Sequence, residues 1–260
     1  MKLPRILLSL AMVVITLGGC TMKTVNLETE KSNKGESTMI LTERQKAILD
    51  AQGLPTDYDE LYPAQKSAIT AIEIMLNYLD QRYGDGFAYE GYISAGGTQK
   101  ETLLAVRDEL HVKVFRDYND GQYMYSDTYA EQLASPVYTE VLDAYVSSVL
   151  GKNVAKVYSE VTAAEDEFQK ENIISQASAV SYVFVPESTG QGAFQALIEQ
   201  YCTWIPNNAD GRKTHAIFLL VKDEDFHTIF ASNYAQRFVQ VKPVEKVNCL
   251  LYEDGRINRY

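Results

Sequence analysis

The chain has 260 residues, of which 24 are basic and 35 are acidic, giving a formal net charge of −11 at pH 7. Such an acidic protein repels phosphate backbones and anionic lipid headgroups. The composition therefore argues against nucleic acid as a partner and against a membrane attachment based on charge. About 220 residues follow the N-terminal segments considered next, enough for one substantial core or two small ones.

Residues 1–19 have the organisation of a signal peptide. Lys2 and Arg5 supply a positive start, and residues 6–17 form an apolar run that is shorter than the roughly 20 residues needed to span a bilayer. The residues at the expected cleavage site are apolar or small and lead directly to a cysteine: Leu17, Gly18, Gly19 and Cys20. This order resembles the lipobox of bacterial lipoproteins.

The lipobox resemblance implies cleavage just before Cys20 and a thioether-linked diacylglycerol on its sulfur, with acyl chains such as palmitate. Two acyl chains anchor a protein stably, whereas one binds only marginally. We therefore expect a lipid-anchored protein on the outer face of the cytoplasmic membrane, with the bilayer as a partner through Cys20. The alternative is an ordinary secretory signal followed by a chance cysteine.

Residues 20–38 form the expected lipidated N-terminus and a spacer. The stretch from Thr21 to Thr38 is polar, charged and without periodicity, which is typical of a disordered segment. Flexible-chain scaling gives it a span of roughly 25 Å. A folded domain after this spacer would be held clear of the lipid headgroups.

Helix signals dominate the first part of the folded region. Thr42 and Gln45 form a capping box, which predicts a short helix ending near Gly53. Apolar residues at three-and-four spacing predict a longer helix over 63–84, and the same pattern predicts a third helix over 131–150.

Between the second and third helices the apolar period changes to two. This predicts short antiparallel strands at 87–93, 103–106, 111–115 and 122–125. The sequence Asn119-Asp120-Gly121 predicts a hairpin turn, because Asp-Gly supplies the positive φ angles that such turns need. The same residues resemble a metal loop, but no further acidic ligands follow them.

The second half alternates predicted strands and helices. Strands are expected at 154–161, 182–185, 216–221, 237–241 and 247–252, with a helix over 192–204 and a short helix opened by Asp223-Glu224-Asp225. Residues 216–221 have no polar side chain, so this strand should be central and covered on both faces.

These elements predict an α+β fold in which helices pack on small antiparallel or mixed sheets. We expect two consecutive subdomains, at 39–150 and 151–260. The alternative is that the division near residue 151 lies inside one domain.

Familiar catalytic and cofactor motifs are missing. The sequence lacks G-x-S-x-G, H-E-x-x-H, C-x-x-C, the P-loop and G-x-G-x-x-G. We therefore expect no catalytic residue, no metal site and no cofactor, and we favour a protein that is not an enzyme.

A cryptic cell-envelope hydrolase is the alternative. It would rest on Cys202 with His215, or on Asp223 and Asp225 with His227. Cys202 lies near the C-terminal end of its predicted helix, where the helix dipole disfavours a thiolate. Cys202 and Cys249 are either a disulfide, which an exported location permits, or two buried thiols.

Tyrosine is abundant, with 18 tyrosines against one tryptophan. Tyr123, Tyr125 and Tyr129 would share one face of a strand, and tyrosine is favoured at binding surfaces because it offers a large contact area at low entropy cost. This predicts a candidate surface for a protein partner. The alternative is ordinary packing within the sheet.

The first part of the expected folded region resembles a known group of proteins. The words ILTERQKAIL at 40–49 and GLPTDYDEL at 53–61, continuing into the helix that ends near Tyr83, resemble uncharacterised lipoproteins of low-GC Gram-positive bacteria. The resemblance implies an anchored, exported fold and supplies no catalytic residue. We therefore expect a binding or accessory module at the cell surface, of unknown molecular activity.

Overall fold

The structure is a computed structural model that describes residues 40–260. The expected signal peptide, lipidation site and spacer lie outside the described residues, and with them four predicted site residues: Leu17, Gly18, Gly19 and Cys20.

The first part of the described chain places two helices against an antiparallel sheet. Helix α1 covers Glu43–Ala51 and helix α2 covers Pro63–Tyr83, with a 3₁₀ turn at Tyr58–Glu60 between them. The four strands follow in chain order as a meander: β1 Ala88–Ile93, β2 Glu101–Arg107, β3 Leu110–Asn119 and β4 Gln122–Asp127.

Two local signals of the sequence are confirmed in this part. The backbone N–H of Gln45 donates to Thr42 Oγ1 at 3.1 Å, and the N–H of Thr42 donates to Gln45 Oε1 at 2.9 Å, which completes the capping box. Asp120 and Gly121 connect β3 to β4 with φ angles of +50° and +85°, as a two-residue hairpin turn requires.

Helix α3, Tyr129–Leu150, connects the first sheet to the second. Its first residue, Tyr129, packs in the core of the first part, whereas its later buried residues belong to the second core: Ala134, Tyr138, Leu142 and Val146. The change from one core to the other therefore occurs at the start of α3, ahead of the expected boundary at residue 151. The division into two subdomains stays a prediction.

The second sheet has five strands in chain order, β5 Lys156–Ala164, β6 Ala177–Pro186, β7 Thr214–Val221, β8 Glu245–Leu251 and β9 Ile257–Arg259. Only β6 and β7 are parallel. A 3₁₀ turn at Lys170–Asn172 and the short helix α4, Ile173–Gln176, precede β6. Helix α5, Gln191–Trp204, joins β6 to β7 between 3₁₀ turns at Glu187–Thr189 and Ile205–Asn207.

Strand β7 is central and covered on both faces, as predicted. Phe218 and Leu220 pack on the side that α3 and α5 cover, and Ile217 and Leu219 pack on the opposite side. That opposite side is covered by helices α6, Asp223–Phe226, and α7, Tyr234–Gln240. The α+β fold class with small antiparallel and mixed sheets is confirmed.

The expected strand at 237–241 is wrong, because most of this segment lies in α7. Its β-branched and aromatic residues suggested a strand, but Tyr234 and Phe238 lie one helical turn apart and pack on the sheet. The ring of Tyr234 stacks on Tyr158 at 4.7 Å between centroids, and the ring of Phe238 meets Tyr182 at 4.9 Å. Tertiary packing outweighs the local strand preference here.

Candidate functional site

A crevice of about 510 Å³ opens at the carboxyl ends of the two parallel strands. Strands β6 and β7 end side by side at Pro186 and Val221. From there the chain leaves toward opposite faces of the sheet, to α5 on one side and to α6 and α7 on the other. In open α/β sheets, ligands bind in crevices outside the carboxyl ends of parallel strands.

Polar side chains from three connections line the crevice above an apolar wall. The polar residues come from the segment after α3, the turn after β6 and the segment after β7: Asn153, Ser188, Thr189, Asp223 and His227. The apolar residues are Leu150, Val154, Pro186 and Phe226. Hydroxyl, amide, carboxylate and imidazole groups can together donate to and accept from a polar molecule that also has an apolar face.

Two groups fix the rim of the crevice. The backbone N–H of Ser188 donates to Asp223 Oδ1 at 3.1 Å, which ties the turn after β6 to the segment after β7. Lys156 Nζ donates to the carbonyl oxygens of Phe226 and Ile229, both at 2.7 Å, and lies 4.5 Å from the centroid of the Phe226 ring. Burial lowers the pKa of Lys156 from its ordinary value.

The residues that suggested a cysteine hydrolase lie apart. Cys202 is on α5 with its sulfur beside that of Cys249, on the face of the second sheet that α3 and α5 cover. His215 precedes the inward-facing Ala216 on β7, so it points to the opposite face, where its Nε2 lies 3.3 Å from Asn248 Oδ1. The sheet separates the thiol from the imidazole, and they form no catalytic pair.

The acidic segment after β7 is also not a metal centre. Asp225 lies 3.6 Å from Arg237 in an ion pair, and Asp223 bonds the backbone of Ser188. Among residues 40–260, no three histidine, cysteine, aspartate or glutamate side chains are grouped so that they could hold a metal ion.

The three tyrosines of the candidate binding surface do not share a surface. Tyr125 is 6% exposed and stacks on Tyr78 in the core, with ring centroids 5.4 Å apart. Tyr129 is 7% exposed and begins α3 instead of extending β4. Only Tyr123 is open to solvent, paired edge-on with Tyr118 at 5.0 Å. The expectation is corrected for Tyr125 and Tyr129, which contribute to sheet packing.

A buried polar cluster that the sequence did not suggest lies where the two halves meet. Its centre is Asp127, at the end of β4, whose side chain is 1% exposed. The carboxylate accepts from the Tyr78 hydroxyl at 2.9 Å, Arg82 Nη1 at 2.7 Å, the Tyr83 hydroxyl at 3.1 Å and the backbone N–H of Tyr129 at 2.9 Å. We call this group the junction cluster.

Arg82 extends the junction cluster to the second half by pairing with Asp166, which follows β5. Burial opposes the charge of Arg82, but the hydrogen bond to Asp166 and the charge of Asp127 raise its pKa. Burial and the charge of Asp127 raise the pKa values of Tyr78 and Tyr83, so both hydroxyls stay protonated as donors. Such a saturated arrangement serves structure.

Glu131 lies beside the junction cluster in the first turn of α3. Burial raises the pKa of Glu131 to about 7, and the charge of Asp127 acts in the same direction. This carboxyl therefore titrates close to neutral pH.

No helix within residues 40–260 is both long and apolar enough to cross a membrane. No protein-family model matches the chain, and its sequence matches none of the curated proteins. The crystal structure of a DUF5037 family protein from Ruminococcus gnavus ATCC 29149 is similar at 12% sequence identity, over 72% of this chain and 94% of that chain, with a TM-score of 0.40.

Proposed function

We propose that the mature protein is a lipid-anchored binding or accessory module on the outer face of the cytoplasmic membrane, attached through Cys20. One observation carries this proposal: positive residues, a short apolar run and Leu17-Gly18-Gly19-Cys20 follow one another in the order of a lipoprotein signal. The resemblance of residues 40–61 to uncharacterised lipoproteins of low-GC Gram-positive bacteria supports the same location.

The start of the folded region fits a tethered domain. The expected spacer ends at Thr38, and the capping box that starts α1 forms at Thr42. The acidic composition provides no attraction to anionic headgroups. Attachment would therefore depend on the lipid alone.

The crevice at the ends of β6 and β7 is the proposed ligand site. It combines several polar groups with an apolar wall at the place where the chain diverges to the two faces of the sheet. Its groups fit a small polar molecule with an apolar face. Cys202 and His215 lie on opposite faces of the sheet, and Asp225 is paired with Arg237, so no observation favours a hydrolase as a second function.

Metabolic labelling with radioactive palmitate tests the anchor. The full chain and its Cys20→Ala variant are expressed in a Gram-positive host, with Cys202→Ala as a matched control that removes a cysteine elsewhere. We expect label and membrane fractionation for the full chain and for Cys202→Ala, and no label for Cys20→Ala. Equal labelling of all three, or no label on the full chain, would refute lipidation at Cys20.

Photocrosslinking in intact cells tests the crevice. A photoreactive amino acid replaces Thr189 in the crevice or, as the matched control, the exposed Thr98 in the connection between β1 and β2. Intact-mass analysis after irradiation should show a discrete small-molecule adduct at position 189 and none at position 98. If neither position gains an adduct, or both gain the same one, the crevice is not the ligand site.

A further inference from the structure

The two cysteines of the folded region face each other between a helix and a strand. Cys202 lies in the last turn of α5, and Cys249 lies on β8, on the side of the second sheet that α5 covers. Their sulfur atoms are 3.5 Å apart. A disulfide needs about 2.05 Å, so bond formation requires the sulfurs to approach by about 1.5 Å.

The two thiols differ in access. Cys249 is 1% exposed, whereas Cys202 is only partly buried. A reagent in solution therefore meets the Cys202 sulfur first, and the buried Cys249 sulfur lies directly beside it. This asymmetry is typical of redox pairs, in which one thiol attacks and the other resolves.

The surroundings favour a thiolate at Cys202. Once Cys202 is a thiolate, the S–H of Cys249 is the donor between the two sulfurs, and this hydrogen bond, aided by the positive charge of Arg259, lowers the pKa of Cys202. The C-terminal position in α5 acts in the opposite direction, through the helix dipole. The same hydrogen bond, together with burial, raises the pKa of Cys249. Cys202 is therefore the nucleophile of the pair.

We infer that Cys202 and Cys249 form a thiol–disulfide redox pair, in which the accessible Cys202 exchanges with disulfides in solution and the buried Cys249 resolves the product. The co-reactant is a low-molecular-weight disulfide or the disulfide of an oxidoreductase. In the oxidised state the bond fastens α5 to β8.

The exchange balances in two steps. The Cys202 thiolate attacks one sulfur of the incoming disulfide, whose S–S bond breaks, and the departing thiolate takes up the proton that Cys202 has released. Cys249 then loses its proton and attacks the Cys202 sulfur, which forms the protein disulfide and expels a second thiolate that is protonated. The two protein thiols lose two electrons, and the external disulfide gains them.

Oxidised glutathione is the probe for the test. All variants are full chains that carry Cys20→Ala, which leaves Cys202 and Cys249 as the only thiols and makes the outcome independent of lipidation. The reduced protein, purified in detergent, is exposed to oxidised glutathione, quenched with acid at intervals and analysed by intact mass and peptide mapping.

The parent protein carries Cys20→Ala alone. We expect its mass to fall by two hydrogens, as a disulfide between Cys202 and Cys249 requires, and we expect it to keep no glutathionyl group. Cys249→Ser should keep one glutathionyl group, mapped to Cys202. Cys202→Ser should react at Cys249 at least about 10-fold more slowly than Cys249→Ser reacts at Cys202. A parent that keeps two free thiols, or carries a glutathionyl group on each cysteine, would overturn the inference, and so would equal rates in the two single variants.

The pH dependence of alkylation is a second test of the activation of Cys202, and it does not depend on thiol–disulfide exchange. Cys249→Ala keeps a small apolar side chain in the core but removes the S–H donor, so the midpoint for alkylation of Cys202 by iodoacetamide should move to higher pH than in the reduced parent. An unchanged midpoint would show that Cys249 does not activate Cys202.

Discussion

The junction cluster and the crevice both contain aspartates with hydroxyl neighbours, but the two regions use them differently. In the junction cluster the buried Asp127 accepts four hydrogen bonds, all from its own chain. In the crevice the exposed Asp223 accepts one backbone hydrogen bond, at the rim. A buried carboxylate must receive its hydrogen bonds from other groups of the protein. A carboxylate at an open rim can still accept hydrogen bonds from a ligand.

Arg82→Met should have the largest effect on the stability of the fold. The substitution keeps much of the aliphatic stem but leaves Asp127 buried without its cation, and breaking a buried ion pair typically costs about 3–5 kcal/mol. Urea denaturation at neutral pH measures the loss in free energy of unfolding. Arg256→Met, which removes an exposed arginine paired with Asp254, is the matched control and should leave the urea midpoint unchanged. Similar midpoints for both variants would contradict a structural role of the junction cluster.

Glu131 should make stability depend on pH near neutrality. Its pKa in the folded protein, about 7, is higher than that of an unfolded glutamate. The folded state therefore holds a proton that the unfolded state has released, and stability falls as the pH rises from the ordinary glutamate pKa to about 7. The slope is at most about 1.4 kcal/mol per pH unit.

Glu131→Gln should remove this pH dependence, because glutamine stays neutral like the protonated carboxyl. Glu140→Gln is the matched control on the same helix, since Glu140 pairs with Lys170 at the surface. Thermal unfolding measured at a series of pH values compares the two variants. A pH profile in Glu131→Gln that still follows the parent would show that another group is responsible.

Tyr78→Phe should have a smaller effect, about 1.5 kcal/mol, because Asp127 loses one of its four donors and keeps the others. Tyr123→Phe removes a hydroxyl from an exposed tyrosine and should leave the free energy of unfolding unchanged. Chemical denaturation of both variants measures the difference. An equal loss in the two would mean that the hydroxyl of Tyr78 contributes nothing specific.

The sequence could predict the fold class and most elements because their signals are local. The Thr42–Gln45 capping box, the Asp120-Gly121 turn and the apolar run in β7 each act over a few neighbouring residues. Helix α7 was missed because its conformation depends on packing against Tyr158 and Tyr182, which lie far away in the chain.

The junction cluster could not be predicted, because its partners are brought together only by the fold. Asp127 is 49 residues from Tyr78 and 45 from Arg82, and no spacing rule connects residues so far apart. Tyrosine abundance was visible in the sequence, but the burial of Tyr125 and Tyr129 depends on where the first sheet meets α2 and α3.

Only some residues of the crevice could be identified from the sequence. Asp223 and His227 are among the residues on which a hydrolase would rest, but their neighbours Ser188 and Thr189 come from the turn after the adjacent parallel strand. The pairing of β6 with β7 is non-local, so the sequence did not reveal that these four residues share one cavity.

Parallel measurement of Asp127→Asn and Asp223→Asn tests the contrast between the two regions most directly, because the chemical change is identical. The free energy of unfolding should fall by about 3 kcal/mol for Asp127→Asn, since the amide presents a donor to groups that must donate. For Asp223→Asn it should change by less than about 0.5 kcal/mol. Equal losses, or a larger loss at Asp223, would contradict the assignment of the junction cluster to stability and of the crevice to ligand binding.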